Sequence, residues 1–298
     1  MWGRVSLAAV LLAALAGCGS AVAASTPAER SYPVGVRTLA LSRGADRPLP
    51  TTVWYPAAGV PLAADSPGGP VPGAPVAAGR FPIVLFSHGL HSLPEHHAQL
   101  TVRWAAAGFV VVAPAYPHTR LGAGRFDRAD VRQQPADAWY VVRSVAALDL
   151  AFGDPFAGHL DPGRVAAVGH SAGGYTTAGL FTAGHSPTLR GGIVIAGGMR
   201  EQFGGPPAPM LFVHGSADPI VPAARGHDAF RRVRWPKAFL TLVGQGHGEY
   251  LLPGHAGFDP TMESMTDFLR WVLLDDPAAR ERLPLDDVPG ITTWAGRI

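Results

Sequence analysis

From Arg80 onward the chain alternates short, unbroken apolar runs with stretches whose apolar residues recur every three or four positions. This alternation constrains the fold more than any other feature. A strand covered on both faces reads as a continuous apolar run, and a helix lying on the sheet reads with a period near 3.6. FPIVLFSHG (81–89), FVVVAP (109–114), RVAAVG (164–169), GGIVIAGG (191–198), PMLFVHG (209–215) and KAFLTLVG (237–244) are the runs. PEHHAQLTVRWAAAG (94–108), a segment opening near Pro135 with Ala138, Val141, Val142, Val145 and Leu148 on one stripe, and Thr261 to Leu274 are the helical patterns. Such repeated βαβ units predict an α/β fold with a mostly parallel, twisted sheet and helices on both faces.

Upstream, YPVGVRTLALS (32–42) and LPTTVWYPA (49–57) are rich in β-branched and aromatic residues and flank polar turn residues at Gly44 to Arg47, so they are expected to form an antiparallel pair. That makes about eight strands. Residues 56–80 are nearly all Pro, Gly and Ala and read as an extended surface loop. With 298 residues, 47% hydrophobic and 15% charged, residues 26–298 suffice for one large domain with a substantial core. A net charge of +2 without blocks of like charge argues against nucleic acid as a partner.

The first 25 residues place one arginine before an apolar run from Val5 to Ala16, too short to span a bilayer comfortably and typical of an export signal. Two endings compete. LAGC at Leu15 to Cys18 matches a bacterial lipoprotein box, with cleavage before Cys18 and lipid on its sulfur, whereas AVAA at 21–24 suits an ordinary signal peptidase. The lipoprotein reading is favoured because Cys18 is the sole cysteine and stands at the required place; membrane attachment would then run through Cys18. A single cysteine also leaves no internal disulfide.

The chemistry concentrates at VAAVGHSAGGYTTAG (165–179). Gly169, Ser171 and Gly173 form Gly-x-Ser-x-Gly between a strand and a helix, the pattern in which a sharp turn holds a serine hydroxyl at its tip. Alone, this motif arises by chance in a chain with 37 Gly. A serine also needs an imidazole to take its proton and a carboxylate to orient the imidazole. After the strand at 209–215 comes SADPIVP with Asp218; after the strand at 237–244 comes QGHGEY with His247. Serine, acid and histidine thus follow in the order of α/β-hydrolase triads, each on a loop leaving a strand. The backbone N–H groups of Ala172, next to the nucleophile, and of Leu90, after Gly89, are the candidate oxyanion donors.

His88, His91, Glu95, His96 and His97 crowd into ten residues, yet they lack a zinc spacing, and His96 and His97 face different ways on a helix. No metal or cofactor is expected. His91 is the one of these expected to line the acyl pocket.

FSHGL…PEHHAQLTVRWAAAGFVVVAPAYPHT, GHSAGG, HGSADPIVP and GQGHGEYL together resemble the dienelactone-hydrolase-like and platelet-activating-factor-acetylhydrolase-like branch of the α/β-hydrolases, near the bacterial cutinases and polyester hydrolases. The resemblance implies Ser171 as nucleophile, Asp218 as acid, His247 as base, and Leu90 with Ala172 as oxyanion donors. It departs from dienelactone hydrolases in carrying serine rather than cysteine. It departs from polyester hydrolases in having Leu90 where they place an aromatic, and IAGGM where they place a tryptophan. Few residues separate GHSAGG from the acid strand, so no large lid is expected and short or accessible esters, small-molecule or lipid, fit best. The competing readings are a peptidase or amidase of prolyl-oligopeptidase type and a catalytically inactive surface-binding lipoprotein on the same scaffold.

Overall fold

The computed structural model of the protein describes residues 1–2, 31–60, 68–182 and 184–298. The export signal, Cys18 and both cleavage sites lie outside the described residues.

Ten strands join one sheet: β1 (Val34–Ser42), β2 (Pro48–Pro56), β3 (Val71–Pro72), β4 (Phe81–Ser87), β5 (Val110–Pro114), β6 (Leu160–His170), β7 (Leu189–Ile195), β8 (Met210–Gly215), β9 (Lys237–Leu242) and β10 (Thr292–Arg297). Their order is β10-β9-β8-β7-β6-β4-β5-β2-β1-β3. The block from β5 through β4, β6, β7 and β8 to β9 is parallel, while β2 pairs antiparallel with β5, and β1 with β2. The eight expected strands are all present, with β3 and β10 added at the two edges. β3 corrects the reading of residues 56–80 as a mere surface loop: Val71 and Pro72 pair with Gly35 and Val36, Ala57 bridges Val76, and Ala77 is buried.

Six α-helices are described: α1 (Ala98–Ala106), α2 (Gln134–Ala146), α3 (Ala172–Gly179), α4 (Ala223–Arg232), α5 (Phe258–Leu274) and α6 (Pro277–Arg282). Side chains alternate across the sheet with period two, so each strand feeds two cores. Along β4, Val84 and Phe86 join Leu100 and Trp104 of α1 and Met265, Phe268 and Leu269 of α5. Ile83 and Leu85 join Ala138, Val141 and Val145 of α2, Ala178 of α3 and Ala229 of α4. Helices therefore cover both faces. No helix among the described residues is long and apolar enough to cross a membrane.

The chain steps from β4 outward to β5 and then returns across β4 to β6. Open α/β sheets hold ligands at such a reversal, outside the carboxyl ends of the strands. The loop after β4 carries Leu90, and β6 ends one residue before Ser171.

Candidate active site

Ser171 sits at φ 58°, ψ −118°, a left-handed backbone that a serine rarely adopts without compensation. The compensation is close backbone packing, which only glycine permits. A Cβ on Gly169 would stand 2.1 Å from the Gly173 carbonyl oxygen, and one on Gly173 would stand 1.9 Å from the Ser87 carbonyl oxygen. The Ser171 amide donates to the Ile195 carbonyl at 2.9 Å, and the Ser171 carbonyl accepts from the Gly174 amide at 2.9 Å. The turn is thereby fixed to β4, β7 and α3 at once.

The expected trio converges. Ser171 Oγ donates to His247 Nε2 at 2.8 Å, and His247 Nδ1 donates to Asp218 Oδ2 at 2.7 Å. Asp218 Oδ1 accepts from the Ile220 and Val221 amides at 2.8 and 2.9 Å. Burial alone would push the Asp218 carboxyl up, but the His247 bond and the two amides outweigh it and hold the group below the ordinary carboxylate range. The acid therefore stays ionised beside the imidazole.

Leu90 and Ala172, the two residues expected to supply oxyanion amides, line the same cleft as Ser171. Ala172 is the first residue of α3, whose opening N–H groups have no partner within the helix. A Cβ on Gly89 would lie 3.2 Å from the Ser171 Cβ, so glycine there lets the β4 loop approach the serine. His91, expected in the acyl pocket, instead stacks flat on Phe126 with ring centroids 3.9 Å apart and is not one of the cleft walls. The reason is its backbone: His91 has φ 52°, and its amide donates to the Thr119 carbonyl, which ties it to the neighbouring loop.

Three histidines that the sequence does not tie to the trio stand around it. His170 Nε2 donates to the backbone carbonyl of His247 at 2.7 Å, anchoring the loop of the base to the strand of the serine. Desolvation holds the His170 imidazole down at about 4, so it is neutral. His214, buried at the end of β8, donates to the Val221 carbonyl at 2.8 Å and lies 3.3 Å from Asp218 Oδ2. Behind the β4 loop, His88 donates through Nδ1 to the Gly89 carbonyl at 2.7 Å and accepts through Nε2 from the Tyr116 amide at 3.1 Å. His170 and His88 flank sequence landmarks already in view, GHSAGG and FSHG, and adjacency was their only signal.

The cleft at Ser171 has a volume of about 410 Å³ and is open to solvent. Its walls are apolar at Leu90, Val131, Ala172, Ile220, Val221 and Pro222, with Arg128, Tyr175 and Arg225 among them. Such a site can bind an acyl group, present its carbonyl to an activated hydroxyl and hold the developing negative charge.

No curated protein matches the sequence. Residues 63–189 match the family described as Chlorophyllase. The matched stretch contains Leu90, Ser171 and Ala172 and ends before Asp218 and His247. Over that stretch the chain is similar to an esterase family of α/β-hydrolase type, in agreement with the mostly parallel sheet and its two helical layers.

Proposed function

We propose that the protein is a serine hydrolase that cleaves carboxylic esters through an acyl-enzyme. The observation that carries this is the unbroken series of hydrogen bonds from Ser171 through His247 to Asp218. In the reaction, His247 Nε2 takes the Ser171 proton as Oγ attacks the ester carbonyl, and Asp218 stabilises the imidazolium. The amides of Leu90 and Ala172 hold the oxyanion. His247 then returns the proton to the leaving alkoxide, and water repeats the cycle to free the acid. The open cleft suits short or accessible esters. The motifs around Ser171, Asp218 and His247 favour the dienelactone-hydrolase-like branch within the broader fold, and the first 25 residues favour an exported enzyme anchored through Cys18.

A fluorophosphonate probe tests the assignment. The wild type is expected to be labelled at Ser171, Ser171→Ala is expected to remain unlabelled, and its kcat is expected to fall by about a millionfold, the scale of losing a triad serine. A folded wild type that neither takes the probe nor hydrolyses esters would favour the inactive binding scaffold.

A further inference from the structure

Beside Ser171 the cleft is lined by Arg128 from the segment before α2 and Arg225 from α4. A second cavity of about 420 Å³ shares Tyr175 and Arg225 with the first and adds Arg200, Arg232 and Asp228. A Cβ built on Gly198 would lie 3.3 Å from both the Tyr175 hydroxyl and the Arg225 Cβ, so both side chains border Gly198. Charge is one-sided here. Asp228, the carboxylate of this wall, is ion-paired with Arg231. Among the described residues, Arg128, Arg200 and Arg225 have no ion pair, and the buried Nε of Arg232 has no hydrogen-bond partner. Across the two cavities four guanidinium groups, with Arg225 shared by both, face one carboxylate that is already ion-paired, which leaves a cationic surface beside the apolar walls of the cleft. Arginine presents its donors in a fork that matches a carboxylate.

Ser171, Leu90 and Ala172 line the same cleft as Val131, Ile220, Val221 and Pro222, so an acyl chain held on Ser171 has these apolar walls beside it. We infer that the cleft takes an acyl chain ending in a carboxylate, so that the preferred substrates are half-esters of dicarboxylic acids. Methylene groups lie along Ile220, Val221, Pro222 and Val131, and the terminal carboxylate meets Arg225 with Arg128 or Arg200. This rests on the ester-hydrolase reading of Ser171.

The test compares monoethyl adipate and monoethyl suberate with ethyl hexanoate, following ethanol release at low ionic strength. Charge-assisted hydrogen bonds of this kind are worth roughly tenfold or more, so kcat/KM for the half-esters is expected to exceed that for the neutral ester by about tenfold. Arg225→Gln is expected to reduce that ratio by about tenfold, Arg225→Lys to retain part of it, and added salt to compress it. Arg225 is exposed, so loss of folding does not confuse the outcome, and the thermal midpoint checks this. A ratio of one in the wild type, or a ratio unmoved by Arg225→Gln, overturns the inference while leaving the hydrolase reading intact. Absence of turnover on every ester together with absence of phosphonate labelling overturns both.

Discussion

Acidification from pH 7 to pH 5 should cost this protein several kcal/mol of stability, and the cause can be located. His88 is 1% and His97 is 8% exposed. Burial pushes their imidazoles down to about 4 and about 3. For His88 the hydrogen bonds require the neutral ring, because its Nε2 accepts from the Tyr116 amide and a proton there would abolish the acceptor. His97 packs against the Phe86 ring at 4.8 Å and meets the Ser92 hydroxyl at 3.2 Å. A histidine whose folded pKa is depressed binds fewer protons in the folded than in the unfolded chain, so stability is full above the unfolded value near 6.5 and drains away as pH falls toward the folded value. Between pH 7 and pH 5 each ring then contributes a loss of about 2 kcal/mol, or roughly 4 kcal/mol for the pair. His170 acts in the same direction. Asp149, Asp154 and Asp218, held below the ordinary carboxylate range, lose their contribution only at lower pH and do not confuse the window. Urea unfolding followed by tryptophan fluorescence at pH 5, 6 and 7 measures the slope. His97→Gln should shrink the difference between pH 7 and pH 5 by about 2 kcal/mol. A wild type equally stable at both pH values, or a variant with an unchanged slope, would refute the reasoning.

Two further perturbations probe the scaffold of the site. Gly173→Ala would place a methyl group 1.9 Å from the Ser87 carbonyl oxygen, so it should destabilise the protein by about 3 kcal/mol or more and abolish phosphonate labelling, read by chemical denaturation and gel fluorescence. Arg47 donates to Asp130 at 2.7 and 2.9 Å and also grips Asp137, whose carboxylate is buried at the start of α2 and shared with Arg43. Arg47→Met removes the guanidinium from the buried Asp130 and leaves Asp137 to Arg43 alone, and should lower stability by about 3 kcal/mol in calorimetry, with the serine still reactive toward the probe in the folded fraction.

The parts of this fold that the sequence announces are those where burial is continuous or glycine is obligatory. The run FPIVLFS is buried at every position, and the glycines of the serine turn are each pressed against another backbone. Edge elements announce themselves poorly. β10 joins the sheet by backbone pairing with β9, yet most of TTWAGR is exposed or half-exposed, so no apolar run marks it. Helix α4 buries only Gly226 and Ala229 among charged neighbours, so no apolar stripe marks it in the sequence. The hydrogen-bonded trio Ser171, Asp218 and His247 is legible because chain order and strand position restrict which serine, acid and histidine can meet. Arg128, Arg200 and Arg225 were not, since nothing local distinguishes an arginine that turns into a cleft from one on the surface, and their meeting depends on segments that only the sheet order brings together.

β7 and β8 are joined by parallel pairing of Gly192 to Ile195 with Met210 to Val213, and the chain between them passes through the exposed Arg200, Glu201 and Gln202. Ser171 and the proposed oxyanion residues Leu90 and Ala172 lie on one side of that seam, Asp218 and His247 on the other. Severed at this connection, the molecule would become two inert pieces, each with half a proton relay. Turnover would return only when the pieces zipped together along a single strand edge, so ester cleavage would serve as a direct gauge of sheet assembly.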